Sequence, residues 1–326
     1  VGVGEAALSP PAHSLLSDYF RAERLPLVLA IYSTGIMLGS GLAFMIGGHI
    51  YDYFVAHDAW VLPLVGALKP WQSTFIVVGM PGLLVALLLL TVREPERKGV
   101  IQQDQAMPLI DVLRYLNERR SAYLSLIVGI SLLSILGYGT LAWYPEFLQR
   151  TYGVSRTVAG EGFGQLFIVA GIAGSIVLAV AAGWMRRRGV VDINMRIVFV
   201  VALLELIPAV VAPLMPSMSL ALLFAAVLIA LQYGYFGIAV SALQLVTPND
   251  MRAQVSAILL FSTNMLGLIL GPTVVAILTD YVFGGDEYLR YSLATVAAVF
   301  APLAAWVIWR GLPHYRQLLI EADARR

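Results

Sequence analysis

The chain has 326 residues, 59% of them hydrophobic and only 13% charged, with a mean hydropathy of +0.81; no soluble domain of this length has such a composition. Its formal charge of +1 is spread between apolar runs and gives no support to a nucleic-acid partner. The absence of cysteine excludes disulfides and thiolate metal sites. Apolar runs of about 20 residues, the length that crosses a ~30 Å hydrocarbon layer, recur along the whole chain. Backbone amides find no water there, so spanning elements are helices or closed barrels, and continuous apolar runs exclude the alternation of a barrel. The sequence reads as an all-α polytopic membrane protein.

Nine spans are predicted, at 1 to 19, 25 to 53, 71 to 92, 121 to 148, 157 to 184, 194 to 214, 219 to 246, 252 to 281 and 289 to 311. The first opens at Val1 with no charged leader, which reads as neither a signal peptide nor a natural start. Its GVGEAA fits a dinucleotide fingerprint, but no βαβ pattern follows, so these glycines read as helix packing. Glu5, Ser9 and His13 recur every four residues and share a helical face. A carboxylate and an imidazole in a membrane helix need a watery cavity or a partner. Three readings stay open: Glu5 as a protonatable or substrate-facing group, Glu5 neutralised structurally by an arginine, and an intramembrane hydrolase built on Ser9, which Pro10 and Pro11 and the lack of an oxyanion-hole pattern disfavour.

The second span carries small residues at four-residue spacing, Gly35, Gly39, Ala43 and Gly47, with Gly41 and Gly48 beside them, as close helix contacts require. After the third span, REPERKG predicts a turn, and MPLIDVLRYLNERR predicts an interfacial helix with Leu109, Ile110, Leu113 and Leu116 on one face. Tyr138, Trp143 and Tyr144 in the fourth span, and Gln232, Tyr233, Tyr235 and Gln244 in the seventh, are candidates for a cavity wall; aromatics near helix ends also serve as an interfacial belt. Glu205 is an acid deep in the sixth span, either a cavity group or a structural partner. Gly267, Gly271 and Pro272 in the eighth span read as tight packing that can double as a hinge. The four histidines are too dispersed to bind a metal, and no cofactor is expected.

Basic residues orient the spans. One set of alternate connections holds Arg21, Arg24, a cluster from Arg93 to Arg120, Arg186 to Arg188, Arg196, Arg252 and the arginines from Arg310 onward; the other holds only Lys69, Arg150, Arg156 and Arg290. The positive-inside rule places the C-terminus in the cytoplasm and Val1 outside. A shift of 228 residues lays Arg24 on Arg252, Met37 on Met265, Gly39 on Gly267, Asp52 on Asp280 and Tyr53 on Tyr281. Two parallel six-helix halves follow. On that reading residues 1–92 are the last three helices of the N-terminal half, 93–120 a cytoplasmic linker, 121–311 the complete C-terminal half and 312–326 a cytoplasmic tail, with the first three helices absent.

The stretch from GVGEAALSPPAHSLLSDYFRAERL through IYSTGIMLGSGLAFMIGG resembles the fourth and fifth helices of Spinster-like transporters of the major facilitator superfamily. The REP turn, WYPEFLQRTYG at Trp143 to Gly153 and the glycine-rich fifth span are similar to that family too, which makes the chain helices four to twelve of twelve. The resemblance implies a secondary active transporter, not an enzyme. It places Glu5 on the family's cavity-facing acid, implicated in proton or substrate coupling, and Asp18 at the cytoplasmic end of that helix, where an acid pairs with a basic loop. GWMRRRG at Gly183 to Gly189 keeps the gating arginines, Arg186 among them, but lacks the usual aspartate. Eukaryotic relatives move sphingolipids or lysophospholipids, so an amphiphilic lysolipid-like solute is implied, with a proton as coupling ion, in an inner or plasma membrane and as a monomer. Neighbouring organic-anion symporters share a G-x-G-E-A opening and remain the alternative.

Overall fold

In a bilayer the apolar surface of a helix is already solvated by lipid, so helices associate through close packing and hydrogen bonds rather than water exclusion. The computed structural model describes residues 25–57, 60–63, 66–91, 107–248 and 250–324, with Leu15 and Tyr19 besides. Glu5, Ser9, His13, Asp18, Arg24 and the REP turn lie outside the described residues. In chain order come α1 (Leu25–Ala56), a short antiparallel ribbon of β1 (Val61–Leu62) and β2 (Gly66–Ala67), and α2 (Pro70–Leu89). Then follow α3 (Leu109–Glu118), α4 (Arg120–Tyr152), α5 (Arg156–Arg187), α6 (Ile193–Leu214) and α7 (Met218–Val246). Helix α8 (Arg252–Ile277) runs into a π-helical turn (Leu278–Phe283), and α9 (Leu289–Ala324) closes the chain. Among the described residues, seven helices are long and apolar enough to cross a membrane, and α1 is a further helix of 32 residues. The protein is a multi-pass membrane protein.

Helix ends are set locally. Ser155 Oγ accepts the Val158 amide at 3.2 Å and starts α5, as a serine N-cap does. Gly153, at φ 66°, turns the chain out of α4 in the left-handed region. Helix α4 packs on α8 and α9, α5 on α1 and α7, and α6 on α7 and α9. These crossings are close because glycines make them. A Cβ on Gly174 of α5 would fall on the backbone of Ala230 in α7. On Gly271 of α8 it would lie 2.7 Å from the Ile135 carbonyl of α4. On Gly160 and Gly164 of α5 it would strike the Phe44 and Gly41 carbonyls of α1.

Two elements differ from the sequence reading, one in extent and one in the face it buries. Helix α9 continues without a break past residue 311, because Tyr315, Leu318 and Leu319 are buried and the Tyr315 hydroxyl donates to the Ala242 carbonyl at 3.0 Å. In α3, Val112 and Leu116 face the bundle, whereas Leu109, Ile110 and Leu113 are exposed. That helix therefore has one apolar strip for the protein and another for the membrane surface. Arg114, Arg119, Arg120, Arg186 to Arg188, Arg252 and Arg310 lie at one end of the bundle, while Arg150, Arg156 and Arg290 lie at the other.

Gly174→Leu is expected to lower the melting temperature of the purified protein by roughly 5 °C or more through overpacking. Gly183→Leu on the same helix, where a Cβ meets nothing within 4 Å, should leave it unchanged. Equal effects in a thermal melt would contradict the packing described.

Candidate functional site

Glycines bring polar groups together on the bundle made by α4, α7 and α8. With Gly267 set against Ser134 and Tyr138, and Gly271 against Ile135 and Gly139, α8 lies close enough to α4 for Tyr138 to donate to Asn264 Oδ1 at 2.7 Å. Further along the same pair, the Trp143 indole donates to the Pro272 carbonyl at 3.0 Å. Gln232 of α7 approaches from the third side, its amide 3.7 Å from where a Cβ on Gly137 would stand. Its Nε2 is buried and has no hydrogen-bond partner among the described residues. Tyr138, Tyr233 and Tyr235 lie within electrostatic reach of one another. Neither α1 nor α2 packs on α4, α7 or α8 through their backbones, and Asn264 is exposed. Among the described residues, the α4–α8 face is thus a polar wall that α1 and α2 leave uncovered.

Glu205 lies behind this wall in α6. It is fully buried, and neither carboxylate oxygen has a partner among the described residues. Tyr235 lies within electrostatic reach of it and beside Ser134. An unpartnered carboxyl in a low-dielectric interior costs several kcal/mol, an expense that packing does not explain. Of the residues singled out from the sequence, the structure thus assembles Tyr138, Gln232, Tyr235 and Glu205 into one neighbourhood, with Gly267, Gly271 and Pro272 supporting it.

Others lie elsewhere. A Cβ on Gly35 or Gly39 would meet nothing within 4 Å among the described residues, and the α1–α5 contact falls instead to Gly41 and Gly48. Arg186 is exposed at the end of α5, within electrostatic reach of Tyr315.

A second cluster was not singled out from the sequence. At the end away from the arginine-rich one, His49 of α1 meets Glu161 of α5 at 2.6 Å. One turn on, Asp52 accepts both the backbone N–H and the hydroxyl of Thr157, at 3.2 and 2.6 Å. The Arg156 guanidinium stacks 4.0 Å over the Tyr51 ring. The available signal was that His49, Asp52 and Glu161 are polar residues near the same ends of two antiparallel glycine-rich spans. Together these contacts tie α1 to the start of α5.

The comparisons with known proteins bear on what such a bundle does. The profile of the Major Facilitator Superfamily matches residues 1–272. The chain belongs to the Major Facilitator Superfamily. Members of this superfamily are transporters rather than enzymes, which removes the hydrolase reading of Ser9, His13 and Glu5. Within the superfamily the chain is similar to spinster proteins. It is 33% identical over 167 residues to Protein spinster homolog 1 of Bos taurus, across 49% of this chain and 28% of that protein. It is 27% identical over 334 residues to an MFS-type efflux pump of Mycolicibacterium smegmatis, across 98% of this chain and 71% of that one. The fold matches the crystal structure of a bacterial homologue of the human lysosomal transporter Spinster, inward-facing and unoccupied, with a TM-score of 0.76 over 97% of this chain and 76% of that chain, at 22% identity.

Asp52→Ala removes a cap from α5 and a tie across the α1–α5 crossing. It should lower the melting temperature by about 2–5 °C, while Asp52→Asn, which keeps an acceptor oxygen, loses less than half of that. Indistinguishable melts for the two variants would show that the acceptor does not act in this way.

Proposed function

We propose that the protein is a proton-coupled secondary active transporter that moves an amphiphilic lipid-like or organic anionic solute by alternating access. The observation that carries this reading is the polar wall of Tyr138, Asn264 and Gln232 on three helices, where the Tyr138–Asn264 pair is exposed among the described residues and the buried Gln232 amide nitrogen beside it has no partner there. An unsatisfied amide donor beside polar side chains favours a ligand with an acceptor headgroup, and an apolar surround suits a long hydrocarbon portion. The resemblance to Spinster-like transporters points the same way, since eukaryotic members move sphingolipids or lysophospholipids.

Alternating access needs only that proton and solute bind the two facing states differently. In this reading the α1–α5 crossing is the contact that parts when the protein changes its facing. Tied at His49–Glu161 and Asp52–Thr157, it is closed at the end away from the arginine-rich one, as in an inward-facing state. Two carboxyls are assigned to the proton: Glu5, from the family resemblance, and Glu205, from its burial without a partner among the described residues. The arginine-rich end faces the cytoplasm of a plasma or inner membrane, and the functional unit is a monomer of two six-helix halves.

The test is uptake by the complete protein in proteoliposomes, with a fluorescent lysophospholipid and a small organic anion compared under an imposed pH gradient. Gradient-driven uptake of the lysophospholipid should fall at least roughly tenfold in Glu5→Gln and in Glu205→Gln, with melting temperature retained and downhill exchange surviving. Unchanged pH dependence in both variants would contradict the assignment of the proton, and uptake of the organic anion alone would favour the symporter reading of the substrate.

A further inference from the structure

At the arginine-rich end, α4 and α9 lie side by side with a furrow of about 260 Å³ between them. The helices meet closely beneath it because a Cβ on Gly129 would strike Ile308 and one on Gly311 would strike Ser125. The two helices present the same order of chemistry. On α4, Arg120, Leu124 and Val128 follow one another at four-residue spacing, and on α9 Arg310 follows Trp306 at the same spacing. Each helix therefore sets an arginine at the mouth and apolar side chains further into the membrane. Leu124 is 53% exposed and Trp306 49% exposed, so the apolar half is open to lipid.

The arginines at this end are not equivalent. Arg114, Arg119 and Arg196 each pair with a carboxylate, of Asp111, Glu118 and Asp192. Arg120 and Arg310 have no carboxylate within 4.0 Å among the described residues; Arg310 is held instead 4.8 Å over the Trp306 ring. Two uncompensated guanidiniums at one mouth, with the Ser121 hydroxyl beside Arg120, are suited to a phosphate group. The apolar half of the furrow decides the source of that phosphate, because only a molecule with an acyl chain can fill both halves.

We propose that this furrow binds an anionic phospholipid of the adjacent leaflet, the phosphate between Arg120 and Arg310 and one acyl chain along Leu124, Val128 and Trp306. The site lies on the outside of the bundle, apart from the polar wall, and does not depend on the transported solute. Basic pockets between helices at a cytoplasmic membrane surface attract anionic headgroups on electrostatic grounds.

Native mass spectrometry of the complete protein in detergent, with phosphatidylglycerol or phosphatidylcholine added, tests this directly. Wild type should retain phosphatidylglycerol preferentially. The double variant Arg120→Gln/Arg310→Gln should hold it roughly tenfold less tightly, and Arg114→Gln/Arg316→Gln, which removes equal charge from the same end, should not. Leu124→Trp, a change at an exposed position, fills the apolar half with both arginines intact and should also weaken retention, which keeps the test decisive if the double variant folds poorly. Equal retention of the two lipids by wild type, equal losses in the two double variants, or full competition by soluble glycerophosphate would each overturn the proposal.

Discussion

Where α5 crosses α1, the carbonyl of Phe44 occupies the place that a side chain at residue 160 would need, and only glycine permits the crossing. The same constraint recurs at Gly174 against Ala230, at Gly271 against Ile135 and at Gly129 against Ile308. Lipid tails solvate leucine as well as another leucine does, so helices in a bilayer gain little from simply hiding apolar surface. What they gain comes from backbones near enough for dispersion and polar contacts. Each glycine contact also fixes the rotation of its helix, and that rotation decides which side chains face inward.

The polar wall follows from this. Tyr138 reaches Asn264 because Gly267, three residues beyond Asn264, lets α8 settle against Ser134 and Tyr138. The chemistry at Gln232 and Glu205 is different in kind, since the Gln232 amide nitrogen and both Glu205 oxygens remain without partners among the described residues. A folded protein rarely retains such groups unless something else uses them, and in the proposed function those users are a solute and a proton. In the proposed transport cycle the α1–α5 crossing is the moving part. Its centre is glycine against backbone, and its end carries a histidine–glutamate contact and a cap, so it is held by a few contacts that can be broken and remade.

The helical class, the spans from residue 25 onward and the basic asymmetry of the two ends were legible in the sequence because they depend on local hydropathy and charge. Which glycines make contact was not. In α1 the four-residue series through Gly35, Gly39 and Gly47 and the neighbouring pair Gly41 and Gly48 are both plausible seams, and only the matching series on α5, Gly160 and Gly164, selects the second. The polar neighbourhood was legible in its residue types, through Tyr138, Gln232, Tyr235 and Glu205, but not in its pairings. Asn264 lies in a largely apolar span, a costly placement in lipid that marks a functional or paired residue, yet its partner lies 126 residues away. His49 and Glu161, 112 residues apart, are likewise joined only by the antiparallel crossing of their helices. The continuation of α9 to Ala324 was hidden because Tyr315 and Leu318 resemble an amphipathic tail until their burial is known.

The proposed alternating access requires the α1–α5 crossing to open and close. Spin labels on Val55→Cys and Val158→Cys, both exposed and near the end of that crossing, report its state by pulsed electron resonance in the complete protein in nanodiscs. Two distance populations are predicted, with their balance shifted by pH and by added lysophospholipid. A single distance, unchanged under every condition in which the same protein transports, would contradict it.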